Sequence, residues 1–129
     1  MKPKITTETP IQLELERHGA ILAKIIDRQH ALVTLADRID WKRFEELFSA
    51  TFHPGNGRPV LPTRLMVGLH YLKYAFDASD DEVLAGWMEN PYWQYFCGGV
   101  YFEHRLPLDS SSMTRWRERI AEAGAEEFL

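Results

Sequence analysis

One cysteine, Cys97, is all the thiol chemistry the chain has. It can form no internal disulfide, and no second cysteine is available for a zinc cage. The histidines, at 18, 30, 53, 70 and 104, include no i, i+4 pair, and none has a cysteine or carboxylate at a metal-site spacing. No serine sits in a nucleophile elbow, and no glycine-rich phosphate loop occurs; Gly98-Gly99 is only a break. No stretch approaches the roughly 18 apolar residues of a membrane span. The opening MKPKITTETP also lacks the apolar run of a signal peptide. These absences predict a soluble, cytoplasmic protein with no metal, no cofactor, no membrane partner and no recognisable catalytic constellation.

Positive charge is also short. Fifteen Lys/Arg face nineteen Asp/Glu, a net charge of −4, whereas phosphate binding leaves a basic footprint. The distribution qualifies that sum. Residues 1–60 carry nine basic and eight acidic residues and residues 61–129 carry six and eleven, so +1 and −5 give −4. Three of those six basic residues, Arg115, Arg117 and Arg119, fall within five positions.

What is present is core material. With 129 residues, 45% hydrophobic and 12% aromatic, the chain suits one domain with a loose end. Residues 11–26 mix strand-like alternation (Ile11, Leu13, Leu15) with helical spacing (Ile21, Leu22, Ile25, Ile26). Beyond Asp27 the period is helical. Leu32, Leu35, Ala36 and Ile39 share one face; Asp40 caps a second helix, whose Trp41, Phe44, Leu47 and Phe48 share another. HPGNGRPVLP (53–62) is a loop, and Pro62 or Thr63 starts a helix that buries Leu65, Leu69, Leu72 and Phe76. Gly68, inside that helix, suggests a close helix crossing. His70 reads as a partly buried structural residue. Ser79-Asp80-Asp81-Glu82 is a capping box opening a helix with Val83, Leu84, Trp87 and Met88 inside, and its acidic residues complement the helix dipole. YWQYF (92–96) suits a short buried helix or turn. The expected fold is all-α: a small bundle of five to six short helices, the C-terminal part resembling a helix-turn-helix.

The last helix, DSSSMTRWRERI (109–120), carries the functional signal. On a helical wheel Met113, Trp116, Ile120 and Ala123 form an apolar face. Ser111, Arg115, Arg119 and Glu122 lie on another, with Ser110, Thr114 and Arg117 between them. Asp109 or Ser110 caps the start. An apolar back with arginines and small hydroxyls in front is the pattern of a recognition helix. The same pattern also fits a solvated face in which the arginines pair with Glu118 and Glu122.

HALVTLADRIDWKRFEELF (30–48), GRPVLPTRLMVGLHYLKYAFDASDDEVLAGWMENPYWQYFCG (57–98) and LPLDSSSMTRWRERI (106–120) resemble the N-terminal domain of bacterial DDE transposases of the insertion-sequence-five type. The resemblance spans about residues 25–123. It implies a partly ordered extension over 1–24 and a helical domain over 25–129 that recognises the terminal inverted repeats of a mobile element during DNA transposition. The Asp-Asp-Glu triad of such enzymes belongs to a following RNase H-like domain, and nothing here matches it. The chain is therefore expected to be a first piece or a truncated product, with no DNA cleavage or strand transfer by itself. The expected partners are double-stranded DNA at the element ends, the transposase catalytic domain if a longer chain exists, and a second copy of the chain. The expected DNA contacts are Arg115, Arg117, Arg119, Ser110, Ser111, Ser112 and Thr114, with Arg58 and Arg64 near the 63–76 helix. Residues 98–109 make a longer connection than a minimal helix-turn-helix allows. The alternative is an interaction module that dimerises the transposase or packs on its catalytic domain, with Tyr92, Trp93 or Tyr95 as an exposed patch.

Overall fold

Side-chain caps fix where five of the seven described helices begin. In the computed structural model, which describes residues 19–49 and 61–122, the described chain is helical with seven helices and no strands. They are α1 (Leu22–Ile25), α2 (Ala31–Arg38), α3 (Trp41–Ser49), α4 (Thr63–Ala75), α5 (Asp80–Glu89), α6 (Pro91–Phe96) and α7 (Ser110–Glu122). The expected all-α bundle is what forms. Residues 11–18 and Arg58 lie outside the described residues.

The His30 ring accepts the Leu32 N–H at 3.0 Å and caps α2. Asp40 accepts the Arg43 N–H at 3.2 Å and caps α3. Ser79 and Glu82 form the capping box of α5, at 3.0 and 2.8 Å. Asn90 ends α5 and starts α6, accepting the N–H groups of Tyr92 and Trp93, with Pro91 at the first helical position where no N–H is needed. Between α4 and α5 the chain turns at Asp77, whose φ of 51° is the left-handed conformation common after a helix.

A continuous core joins α2 to α7, with Leu32, Ala36, Phe48, Met66, Leu69, Leu72, Val83, Leu84, Trp87, Phe96, Met113, Trp116 and Ile120 buried. The expected inner faces of α2, α3 and α5 are the ones buried or partly buried. On α4 the reading needs correction. Met66, Gly68 and His70 are buried along with Leu69 and Leu72, because α4 is packed on several sides, while Phe76 is 54% exposed beyond the helix end. Leu22 of α1 is also fully buried. An isolated antiparallel bridge joins Ile21 to Tyr101, so the connector after α6 runs back along the start of the described chain.

The close crossing expected at Gly68 is present. A Cβ there would stand 2.7 Å from Cys97 Sγ and 3.1 Å from Cys97 Cα. Cys97 acts as a small core residue, and burial pushes its thiol far above the usual range, leaving it an inert nucleophile. An alanine at position 68 gains about 1 kcal/mol of helix propensity, but overpacking costs about 1–3 kcal/mol. We expect Gly68→Ala to lower stability by about 1 kcal/mol or more in urea unfolding, with Cys97→Ala in the same chain recovering part of the loss. A more stable Gly68→Ala protein would show that the crossing is loose.

Candidate nucleic-acid interface

α7 starts at a carboxylate cap. Asp109 accepts both the Ser112 N–H (3.1 Å) and the Ser112 hydroxyl (2.7 Å), which holds its carboxyl below the usual range. Its apolar face then docks: Met113 and Ile120 are fully buried and Trp116 is 4% exposed. Trp116 lies edge-on to Phe48 at 5.5 Å and stacks on His70 at 4.9 Å, so α3 and α4 together form its seat. What remains outside is Ser111, Thr114, Arg115, Glu118, Arg119 and Glu122.

The three arginines, expected to share one solvent-facing role, are in different situations. Arg115 is 61% exposed and folds back over the first turn, donating to Ser111 Oγ at 3.2 Å and Ser112 Oγ at 3.1 Å, with Asp109 4.0 Å away. The structure thus gathers Ser111, Ser112 and Arg115 at the N-terminal end of α7, where Ser110 is half-buried. Arg119 lies on the exposed face.

Arg117 points inward instead. Its guanidinium makes a two-pronged pair with Asp80 at the start of α5, at 3.0 and 2.8 Å. It also donates to His70 Nε2 at 3.1 Å and touches Thr114 Oγ1 at 3.4 Å. Lys73 Nζ stands 3.7 Å from the same Asp80 carboxylate. The tautomer of His70 follows from its partners. The Met66 carbonyl, 2.7 Å from Nδ1, can only accept, so Nδ1 carries the proton and Nε2 is left to accept from Arg117. His70 is 1% exposed, more deeply buried than the partly buried position its spacing suggests. On the wheel Arg117 falls beside the apolar face rather than opposite it, and that was the one signal of its role.

Arg64 also departs from expectation. Half-buried, it donates to the Phe96 and Tyr95 carbonyls, each at 3.1 Å, and lies over the Trp41 ring at 4.6 Å. It closes the C-terminal end of α6, where the unpaired carbonyls favour a cation. Its guanidinium is thus not presented for phosphate. The proposed aromatic patch at 92–96 is likewise engaged within the fold. Tyr92 stacks on His30 and its hydroxyl accepts the Asp27 N–H, Tyr95 bonds Arg28 and Asp37, and Trp93 packs on Phe76. Gln94, a polar residue within an aromatic run and with no local signal of its role, is fully buried. Its amide donates to the Trp87 and Glu103 carbonyls and accepts the Glu103 N–H, tying the connector to α5 and α6.

Among the described residues no group of three His, Cys, Asp or Glu could hold a metal ion, and no helix is long and apolar enough to cross a membrane.

The polar cluster under α7 sets a pH dependence. Burial lowers the His70 pKa below its usual 6.5, and the Arg117 charge acts in the same direction, against the Met66 carbonyl and Asp80. The hydrogen bonds from Arg117 lower the Asp80 carboxyl below its usual 3.8. Both shifts have the same sign. The unfolded chain takes up protons that the folded one refuses, so stability falls as pH drops, first below about 6.5 at His70 and then below about 4 at Asp80. Thermal unfolding of the wild type should therefore shift to lower temperature between pH 7 and 5. His70→Gln should flatten that dependence while lowering the pH 7 stability by about 1–2 kcal/mol. An unchanged slope in the variant would place the titration elsewhere.

Residues 20–119 match a family described as a transposase domain (DUF772). The chain is 55% identical over 108 residues to an uncharacterised protein, ORF8 in the nfe locus of Rhizobium meliloti, a match covering 84% of this chain and 52% of that protein. The chain thus spans about half the length of this relative. No solved structure matches it. With 20–119 matched, most of the described helices fall inside one family, and the chain belongs to the transposase domain family DUF772.

Proposed function

We propose that this domain binds double-stranded DNA, recognising the terminal inverted repeats of its mobile element during transposition, with α7 as the contacting helix. The observation that carries the reading is the seating of α7. Its apolar side is buried, with Trp116 against Phe48 of α3 and His70 of α4 and the helix packed along α5, and its outer side offers Ser111, Thr114, Arg115 and Arg119. Arg115, held over the serine hydroxyls, and the N-terminal turn of α7 would meet phosphate. The Arg115–Asp109 contact at 4.0 Å, more than half exposed on both sides, is weak and screened, so exchange for a phosphate is easy. Arg119 and Thr114 would reach base edges or the opposite strand. Ser110, Ser112 and, beyond the described residues, Arg58 complete the contact set. Arg64 and Arg117 support the fold around it. α5, α6 and α7 would act as a loose helix-turn-helix whose long connector is pinned by Gln94. In this reading the described residues bind DNA and take no part in cutting it.

Fluorescence anisotropy with a labelled inverted-repeat duplex and a scrambled duplex, over a salt series, tests this. The repeat should bind more tightly. Arg115→Ala should weaken both duplexes and lower the salt slope by about one, the mark of a lost phosphate contact. Arg119→Ala should cost about 1–3 kcal/mol on the repeat alone if it reads a base. No binding to either duplex at low salt would sink the proposal.

A second reading, an interaction module, is favoured by one observation. Tyr71 and Tyr74 on α4 and Phe76 just beyond it are 44%, 64% and 54% exposed. If they meet a second copy, sedimentation equilibrium should show a dimer that Tyr74→Ser weakens; a monomer at all concentrations would leave that reading without its homodimer.

A further inference from the structure

The seat of α7 contains more than apolar contacts. Met113, Trp116 and Ile120 supply burial, which is non-directional and tolerates small rotations of a helix about its axis. Reading DNA does not tolerate them. A helix with its side chains has a radius of roughly 5–6 Å. A rotation of about 20° therefore carries its outer atoms by roughly 2 Å, several times the latitude of a hydrogen bond to a base edge. Some directional contact has to fix the angle at which Ser111, Thr114, Arg115 and Arg119 are presented.

We infer that Asp80 and His70 are positioning residues for α7, acting through Arg117; the inference rests on the DNA-binding reading above. Arg117 lies on the flank of α7, where a rotation moves it most directly against α4 and α5. Its two-pronged pair with Asp80, at 3.0 and 2.8 Å, constrains both distance and plane. A third bond runs to His70 Nε2 at 3.1 Å from the same Nη1 that meets Asp80 Oδ1, tying the guanidinium to α4 as well as α5, and His70 is itself fixed by the Met66 carbonyl at 2.7 Å and by the Trp116 ring. Other charged groups also act on this site: Lys73, 3.7 Å from Asp80, and Glu118, whose charge acts on Arg117. The side chains involved are mostly shielded, with Arg117 27% and Asp80 20% exposed. An acidic residue therefore supports binding to a polyanion.

That sign makes the test sharp. Asp80 and its exposed neighbour Asp81 both stand in the first turn of α5, so each loses one negative charge and one dipole interaction when changed to asparagine. If long-range charge alone mattered, both variants would bind DNA more tightly. The inference instead expects Asp81→Asn to bind as well as wild type or better. Asp80→Asn should lose at least about tenfold in the ratio of repeat to scrambled binding, the size of one misplaced base contact. Amide hydrogen exchange should show faster exchange confined to α7 in Asp80→Asn, with α4 and α5 still protected. Arg117→Met should behave like Asp80→Asn, and the double variant should be no worse than either single one, because both break the same link.

Equal tightening by Asp80→Asn and Asp81→Asn would overturn the inference. So would an Asp80→Asn domain that melts as a whole, since the pair would then hold the entire fold rather than aim one helix. A further loss on adding Arg117→Met to Asp80→Asn would mean that Arg117 touches DNA itself, and would overturn it as well. If the wild-type full chain binds neither duplex, the DNA reading fails first and the inference goes with it. If the wild type discriminates and Asp80→Asn keeps that discrimination, only the inference fails.

Discussion

Trp116 must be buried on a helix whose remaining surface is mostly serine, arginine and glutamate, and the way this is achieved constrains the rest of the domain. The indole lies between Phe48 of α3 and the ring of His70 on α4, with Met113 and Ile120 above and below. Burying such a side chain is worth about 3 kcal/mol, a large share of the net stability of a domain this size. His70 is where the apolar and polar parts of the site meet. One face of its ring stacks on Trp116 while its edge accepts Arg117, so the packing of the tryptophan and the direction of the arginine cannot vary independently. The imidazole does this only while neutral, so protonating it would remove the acceptor that Arg117 uses.

The second dependence runs through α6. Six residues make a helix too short to be stable alone, and its ends are completed by side chains from elsewhere. Asn90 serves the N–H groups at one end, and Arg64 serves two carbonyls at the other while lying on Trp41. Gln94, between them, satisfies both backbone groups of Glu103. α6 is in this way a polar joint wrapped in apolar contacts: Tyr92 and Tyr95 reach His30 and Asp37 at the two ends of α2, Trp93 packs on Phe76, and Phe96 meets Trp41 and Tyr71. Gly68 and Gly98 allow the close approaches this requires: a Cβ at either would press into Cys97 or Arg64.

These two hubs mark where the sequence was legible. Helices read well wherever an apolar face and a cap lay within one local stretch: His30 aside, the caps at Asp40, Ser79 and Asp109 and the faces of α2, α3, α5 and α7 could be taken from spacing alone. Gly68 could be read because an interior glycine in a strong helix needs a reason. What spacing does not encode is which flank meets which. Arg64 finds its carbonyls 31 and 32 positions away, and Arg117 finds Asp80 37 positions away. Each looked like a surface cation because a lone arginine beside an apolar face carries no local sign of its partner. Asp80 was explained too easily by the helix dipole, a sufficient cause that hid a second one. Phe76 falls outside the buried face because the helical period stops before the turn at Asp77.

The division of labour among the α7 arginines also bears on the net charge of −4, the strongest argument against a nucleic-acid partner. Over a Debye length of about 8 Å, distant carboxylates are screened, and what a phosphate meets is the local arrangement. Near the N-terminal end of α7 that arrangement is one exposed guanidinium over two hydroxyls, with the Asp109 cap in weak contact. Asp80, the acidic group nearest the inner side of α7, is neutralised by Arg117 and approached by Lys73, so it adds little negative field outside. Pairing two cations with one carboxylate on the inner side of α7 satisfies that charge within the fold, while the outer side carries Arg115 and Arg119 beside Glu118 and Glu122. In the proposed reading the same pairing would also aim α7, so the neutralising of Asp80 and the orientation of the helix would have one structural cause.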